Sequence, residues 1–343
     1  VLTSEFDYDL PHDLIAQQPL QRRDASRMMI VRRHGGTIRH GRFEDFPDCL
    51  NEGDALVLND TKVIPARVWG LKNGREIEFL FLRELERGFW EVLCRPARKV
   101  RTGDRILFAP GFEGEIVGAG AEGRRMVRFS ETDVRGRLKT IGFAPLPPYI
   151  KRRQDHAALR EFDLLRYQTV FARREGSIAA PTAGLHFTPQ ILKKIEAKGV
   201  VICRVTLEVG LATFQPVRVD RLEDHAMLTE RYTVGRKAAE EINRAKREGR
   251  PVVAVGTTVV RTLESAWTGD PVRAGSRSTG LFIYPGFTFR VVDRLLTNFH
   301  LPRSTLLMLV SAFAGVDLIR KAYAEAVDQK YRFYSYGDCM LIL

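Results

Sequence analysis

Cysteine is scarce in this chain of 343 residues. Cys49, Cys94, Cys203 and Cys339 are the only four, far apart, with no Cys-x-x-Cys pair and no histidine at zinc-ligand spacing. A disulfide framework and a structural zinc site are therefore not expected, and four reduced, structural thiols are. Long apolar runs are missing too: the longest, at 306–314, is about half of the roughly 20 residues a membrane-spanning helix needs. Residues 1–9 are acidic and lack the basic-then-apolar order of a secretion signal, so a cytoplasmic protein with no membrane partner is expected. There is no Gly-x-x-x-x-Gly-Lys-Ser/Thr loop, and no glycine triad passing from a strand into a helix. Both absences weigh against an ATPase or an ordinary dinucleotide fold. Low-complexity segments and internal repeats are also lacking.

What is present suits a folded enzyme of two domains: 44% hydrophobic and 28% charged residues, with a mass of 39.0 kDa. The formal charge of +12 is uneven. Between Arg67 and Arg153, 19 Lys and Arg stand against 11 Asp and Glu, so 19 − 11 = 8 of the 12 positive charges fall there. Such a basic field favours polyanions, nucleic acid first among them.

In the same stretch, short β-rich runs at 68–71, 77–82, 89–94, 105–108, 113–117 and 126–129 alternate with turn residues such as Asn73-Gly74, Arg87-Gly88 and Pro110-Gly111. Evenly spaced short strands predict a small β-barrel. After Pro145, Pro147 and Pro148 the pattern changes to helices alternating with buried strands, which predicts a layered α/β domain. Thr188 and Pro189 open a helix that Gly199 ends; 237–248 is a second helix, 252–255 a strand running into a third helix, and 304–314 and 317–330 two more. Strands are expected at 200–205, 281–284 and 340–343. The expected fold is thus α/β: a layered α/β domain in two parts, 1–66 and 151–343, with an inserted small β-barrel domain at 67–150.

Five polar clusters carry candidate chemistry. The small-residue segment around Thr182, Ala183 and Gly184 lets a ligand approach the backbone and projects His186; a plain structural loop is an equal reading. Thr297-Asn298-Phe299-His300-Leu301-Pro302-Arg303-Ser304 gathers polar groups before an apolar helix, although His300 alone could be a hydrogen-bonded core residue. Gly256-Thr257-Thr258 follows a strand, so its free N–H groups would face an anion at the carboxyl edge of a sheet; Arg261 and Glu264 share a helix face, where an ordinary surface ion pair competes. The stretch from Asn59 and Asp60 to Arg67 sits at the domain junction, and Arg23-Asp24-Ala25-Ser26-Arg27 is a polar cluster with the same ambiguity.

The strings at 180–187, 256–258, 261–265, 281–286, 297–315 and 331–338, with 24–27, 59–67 and 147–151, resemble the ribosyltransferase-isomerases of queuosine biosynthesis, from Asp7 to Ile342. The resemblance implies an enzyme that uses S-adenosylmethionine as ribosyl donor, with no metal or further cofactor. It would act on 7-aminomethyl-7-deazaguanine at the wobble position of a tRNA and release adenine and methionine. The acidity of hydrogens beside a sulfonium calls for a base near neutrality: His186 or His300, with Asp60 or Glu264 as outsiders. Arg261 and the Gly256, Thr257, Thr258 start would hold a carboxylate or phosphate. Thr182, Gly184, Tyr284, Asn298 and Arg27 complete the expected binding residues. The basic barrel would grip the anticodon arm, and a monomer is the default.

Two positions depart from the family pattern: Glu208 and Leu228 stand where histidines are usual, and we expect them to face one another. A non-catalytic tRNA-binding homologue and an S-adenosylmethionine-dependent RNA methyltransferase are the rival readings.

Overall fold

The computed structural model describes residues 1–152, 156–210 and 217–343. Its strands are β1 (Arg27–Arg32), β2 (Thr37–Arg42), β3 (Ala55–Asn59), β4 (Thr61–Val63), β5 (Arg67–Lys72), β6 (Arg75–Glu86), β7 (Phe89–Arg95), β8 (Arg105–Ala109), β9 (Phe112–Ala119), β10 (Arg124–Phe129), β11 (Arg174–Ser177), β12 (Val201–Leu207), β13 (Glu230–Val234), β14 (Val252–Val255), β15 (Gly275–Thr279), β16 (Arg294–Asn298) and β17 (Cys339–Ile342). The α-helices are α1 (Val134–Ile141), α2 (Arg160–Arg166), α3 (Pro189–Ala197), α4 (Arg236–Arg247), α5 (Thr257–Ala266), α6 (Thr305–Ala314) and α7 (Val316–Asp328).

Strands β5 to β10 close into a six-stranded barrel in the order β10-β7-β6-β5-β8-β9. Period-two alternation drives it: in β9, Phe112 and Ile116 point inward while Glu113 and Glu115 face solvent. The interior is packed with aromatics, including Phe79, Phe81, Trp90, Phe112 and Phe129. Gly114 is required by this crowding, because a Cβ there would lie 2.6 Å from Val127. Helix α1 plugs the barrel with Val134 and Leu138, and Ile178 joins the same cluster from the other part of the chain.

The remaining strands, apart from the β4–β11 pair, form a nine-stranded mixed sheet, β15-β13-β12-β3-β14-β16-β17-β1-β2. Its central strands are buried on both faces, as the continuous apolar run of β3 requires. Ala55 and Val57 point to one face with α4, α5, α6 and α7; Leu56 and Leu58 point to the other with α3 and the Phe43–Cys49 turn. Thr188 caps α3 by accepting the Ile191 N–H, and Ser304 caps α6 by accepting that of Leu307, each at 3.2 Å.

The expected strand at 281–284 is not one. The edge strand here is the polar β15, and residues 281–284 leave it as a loop whose partly buried Leu281, Phe282 and Tyr284 pack on the core. Apolar content at a sheet edge reflected packing of a loop and not ladder pairing. No helix of the described residues is long and apolar enough to cross a membrane.

Candidate active site

Because β12, β3, β14 and β16 run parallel, their carboxyl ends, at Leu207, Asn59, Val255 and Asn298, share one edge of the sheet. Open α/β sheets bind ligands at this edge. Gly256 leaves β14 with a left-handed φ of 89°, which a residue with a Cβ adopts only under strain, and turns the chain into α5. The turn Thr182–His186 packs beside it: a Cβ on Gly256 would lie 3.6 Å from Ala183. Gly184 is as tightly placed, since a Cβ there would meet the Phe171 ring at 2.7 Å.

His186 is buried in this turn. Its Nδ1 lies 2.7 Å from Ser26 Oγ, and its ring is braced by Phe43. Among the described residues its Nε2 has no well-formed hydrogen bond, and neither has Oδ1 of Asn298, the one neighbour that favours the charged ring. Burial lowers the pKa of His186 to about 4, with Arg23 and Arg332 adding to the effect. His300 is buried as well, and burial alone pushes it down to about 3. Its Nε2 is already engaged by Thr297 Oγ1 at 2.7 Å, and its backbone N–H donates to Tyr323. Both imidazoles are therefore neutral at pH 7, and neither titrates near neutrality as the expected base would, because burial disfavours the charged ring.

The pH dependence of stability follows with its sign. Each histidine binds a proton less readily folded than unfolded, so the stability it confers is complete above about 6.5 and declines as the pH falls towards the folded values. With each tenfold in proton affinity worth about 1.4 kcal/mol, His186 alone withdraws on the order of 3 kcal/mol between pH 6.5 and 4. The melting temperature is expected to fall over this window and to fall less steeply in His186→Gln. Equal slopes in the two proteins would show that His186 does not carry the effect.

The other expected residues divide into two groups. Asp60, at the end of β3, accepts a hydrogen bond from Thr206 at 2.6 Å; Asn59 donates to Thr258 Oγ1 at 3.2 Å, so Thr257 and Thr258 sit on the same edge as Asn298. Thr182 and Asn298 line a water-sized opening with His300, Tyr149 and Ser335. Ser335 also borders a second opening, beside His186. These residues come together. Tyr284 and Arg27 stand apart in their bonding: Tyr284 packs on Phe282, and Arg27 stacks 3.8 Å from the Tyr331 ring centre.

The surface ion pair considered for Arg261 and Glu264 does not form, because both side chains are buried. Glu264 accepts three backbone N–H groups, from Arg290, Val291 and Val292, at 2.9, 3.1 and 3.0 Å. Arg261 pairs instead with buried Glu230, which also accepts the Gly210 N–H at 2.8 Å. One terminal nitrogen of Arg261, Nη2, is buried without a partner among the described residues. Glu230 and Ser26 were not singled out for these roles by spacing, since their partners lie 31 and 160 residues away.

Glu208 donates its N–H to the Arg231 carbonyl at 2.9 Å, so the strand register sets Arg231 opposite it and Leu228 three residues further along. The expected direct opposition of Glu208 and Leu228 is therefore not the arrangement seen. The side chain of Glu208 lies against Gly176. The rest of that motif, from Leu211 to Phe214, lies outside the described residues, as does Arg153.

A cavity of about 970 Å³ lies elsewhere, between the barrel and the 145–152 segment. Arg67, Arg95, Arg124, Lys151, Arg152 and Arg218 line it against Glu78 and Glu122, with Trp69 as an aromatic wall. The 145–152 segment links it to the histidines, for Tyr149, which borders the His300 opening, lies 2.6 Å from Ser335 through its hydroxyl. Among the described residues no group of three or more His, Cys, Asp or Glu is placed to hold a metal ion.

A family model described as "Queuosine biosynthesis protein" matches residues 3–342. The S-adenosylmethionine:tRNA ribosyltransferase-isomerases of Moorella thermoacetica and Symbiobacterium thermophilum are each 52% identical to this chain over 345 residues, covering 99% of both partners. The crystal structure of the S-adenosylmethionine tRNA ribosyltransferase of Thermotoga maritima is similar with a TM-score of 0.56 at 39% identity, covering 99% of this chain and 100% of that one. With a barrel beside a mixed sheet, two buried histidines at its carboxyl edge and a match along the whole length, this chain belongs to the queuosine-biosynthesis family of S-adenosylmethionine:tRNA ribosyltransferase-isomerases.

Proposed function

We propose that this enzyme transfers the ribosyl group of S-adenosylmethionine to 7-aminomethyl-7-deazaguanine at the tRNA wobble position and isomerises it, giving epoxyqueuosine-tRNA, adenine and methionine. The observation that carries the chemistry is the pair of unpartnered atoms, His186 Nε2 and Asn298 Oδ1. We assign the proton of the neutral ring to Nδ1, which donates to Ser26 Oγ, while the Ser26 hydroxyl points its own proton at the Arg23 carbonyl, 3.5 Å away. Nε2 then presents a lone pair beside an amide oxygen that also has only lone pairs to offer. A proton arriving at Nε2 relieves that opposition, and Asn298 becomes its acceptor. This is the arrangement of a general base.

The substrate supplies the proton. A sulfonium acidifies the C5′ hydrogens, removal of one starts the loss of adenine, the amine of the base attacks the sugar, and ring rearrangement expels methionine. Arg261 Nη2 and the Gly256–Thr258 helix start offer unspent donors for the methionine carboxylate. The basic cleft of about 970 Å³ suits the anticodon arm, and we propose that residues 67–150, its main wall, are a unit inserted between 1–66 and 151–343. A monomer acting in the cytoplasm completes the reading.

The test is a mass-spectrometric assay of small molecules after incubation with S-adenosylmethionine and tRNA carrying the aminomethyl base. Adenine and methionine in equal amounts are the expected products. Adenosylhomocysteine in their place makes the enzyme a methyltransferase, and tRNA binding with no turnover makes it a non-catalytic homologue.

A further inference from the structure

Beside the His186 opening the molecule concentrates three arginines, Arg23, Arg166 and Arg332, none of which forms an ion pair with a carboxylate of the described residues. Arg23 donates to the carbonyls of Leu185 and Leu165 at 3.3 and 3.1 Å; Arg166 donates to those of Gln21 and Leu20, and Arg332 to that of Gln18. The acidic groups nearby have other partners. Asp163 is held by Nε and Nη2 of Arg152, and Asp338, which accepts the backbone N–H groups of Arg27 and Arg332, attracts the Arg332 guanidinium without a direct ion pair. Arg23 and Arg166 border the opening, together with Tyr336.

The donors here are also unspent. Arg166 Nε, Arg332 Nη1 and Tyr336 Oη are buried with no hydrogen-bond partner among the described residues, at a cost that native proteins rarely leave standing unless water, an ion or a ligand meets it. All three can donate. Free donors on guanidinium groups without ion pairs complement an anion rich in acceptors, and guanidinium forks fit phosphate oxygens well.

We propose that Arg23, Arg166 and Arg332 form a binding site for one backbone phosphate of the RNA substrate, at the mouth of the His186 opening. This rests on the reading of the enzyme as acting on tRNA. The sulfonium of the other substrate is a cation, which a cluster of three arginines repels, whereas a phosphodiester is drawn in. Burial and the neighbouring Arg166 already press Arg23 down to about 10, a strain that an arriving phosphate relieves. Docked there, the strand lies against the turn that carries His186.

The experiment measures tRNA affinity by fluorescence anisotropy over a range of KCl concentrations, and the KM for S-adenosylmethionine alongside. Arg166→Gln and Arg332→Gln are each expected to weaken tRNA binding about tenfold at 0.1 M salt and to lower the salt slope by about one phosphate contact, with the KM for S-adenosylmethionine unchanged. Arg166→Lys, which keeps the charge and loses the fork, should recover part of the slope. Unchanged tRNA affinity in folded Gln variants overturns the site, as does a raised KM for S-adenosylmethionine alone. Should Arg166→Gln fail to fold, Arg332→Gln decides, since its half-buried guanidinium makes a single carbonyl bond. Normal tRNA binding without adenine release by the wild-type enzyme would sink the proposed reaction and leave this site standing.

Discussion

His186→Gln is expected to lower kcat for adenine release by roughly two to four orders of magnitude, the range for removal of a general base. Glutamine is close to histidine in size and keeps an amide for Ser26 and Asn298, so the KM for both substrates should stay within about threefold. His300→Gln is expected to cost less, because its Nε2 is already bound to Thr297. In the wild-type enzyme the acidic limb of kcat/KM assigned to the base should lie near 4 and not near 6.5, since burial keeps the free ring neutral to that point. Near-normal kcat in His186→Gln with a collapse in His300→Gln would move the base to His300.

Much of this architecture was legible in the sequence because it rests on short-range patterns. The barrel strands announce themselves by period-two alternation between glycine turns, as in Phe112 to Val117, and α3 by its Thr188 cap and Gly199 stop. Local patterns say little where packing decides. β15, Gly275–Thr279, is almost wholly polar and exposed and pairs through its backbone and a Ser276–Thr233 hydroxyl contact, while Leu281 and Phe282 are apolar and form no strand. The site was legible in part. His186, Asn298 and Gly256 sit in compact strings, each at the end of a strand or turn, so composition alone marked them. Their bonding was not. Glu264 reads as a surface carboxylate three residues from Arg261, and only the fold reveals that the 290–292 loop takes its charge. Glu208 and Leu228 remain the departures whose consequence the adenine assay measures. The Arg231 register makes them separate positions, to be restored to histidine one at a time.

Glu230→Gln should be the most damaging single change outside the histidines, at roughly 3–5 kcal/mol, the usual cost of breaking a buried pair from one side. The guanidinium of Arg261 and the carboxylate of Glu230 are 4% and 3% exposed, and Arg261's remaining bond is to the Leu281 carbonyl at 3.1 Å. Without Glu230 a buried charge stands uncompensated. A buried pair is weak evidence for stability in itself, since apolar replacements of similar volume often match it. The double variant Arg261→Met, Glu230→Leu is accordingly expected to recover most of the melting temperature lost in Glu230→Gln. Recovery of function should not follow. If the pair exists to aim Arg261 Nη2 at the methionine carboxylate, the stable double variant will show a KM for S-adenosylmethionine raised at least tenfold, the equivalent of losing about 1.4 kcal/mol of binding. A double variant with wild-type KM would reduce Arg261 to a structural cation. A double variant that is both less stable and inactive would say that the charge itself, and not only its pairing, holds the start of α5 in place.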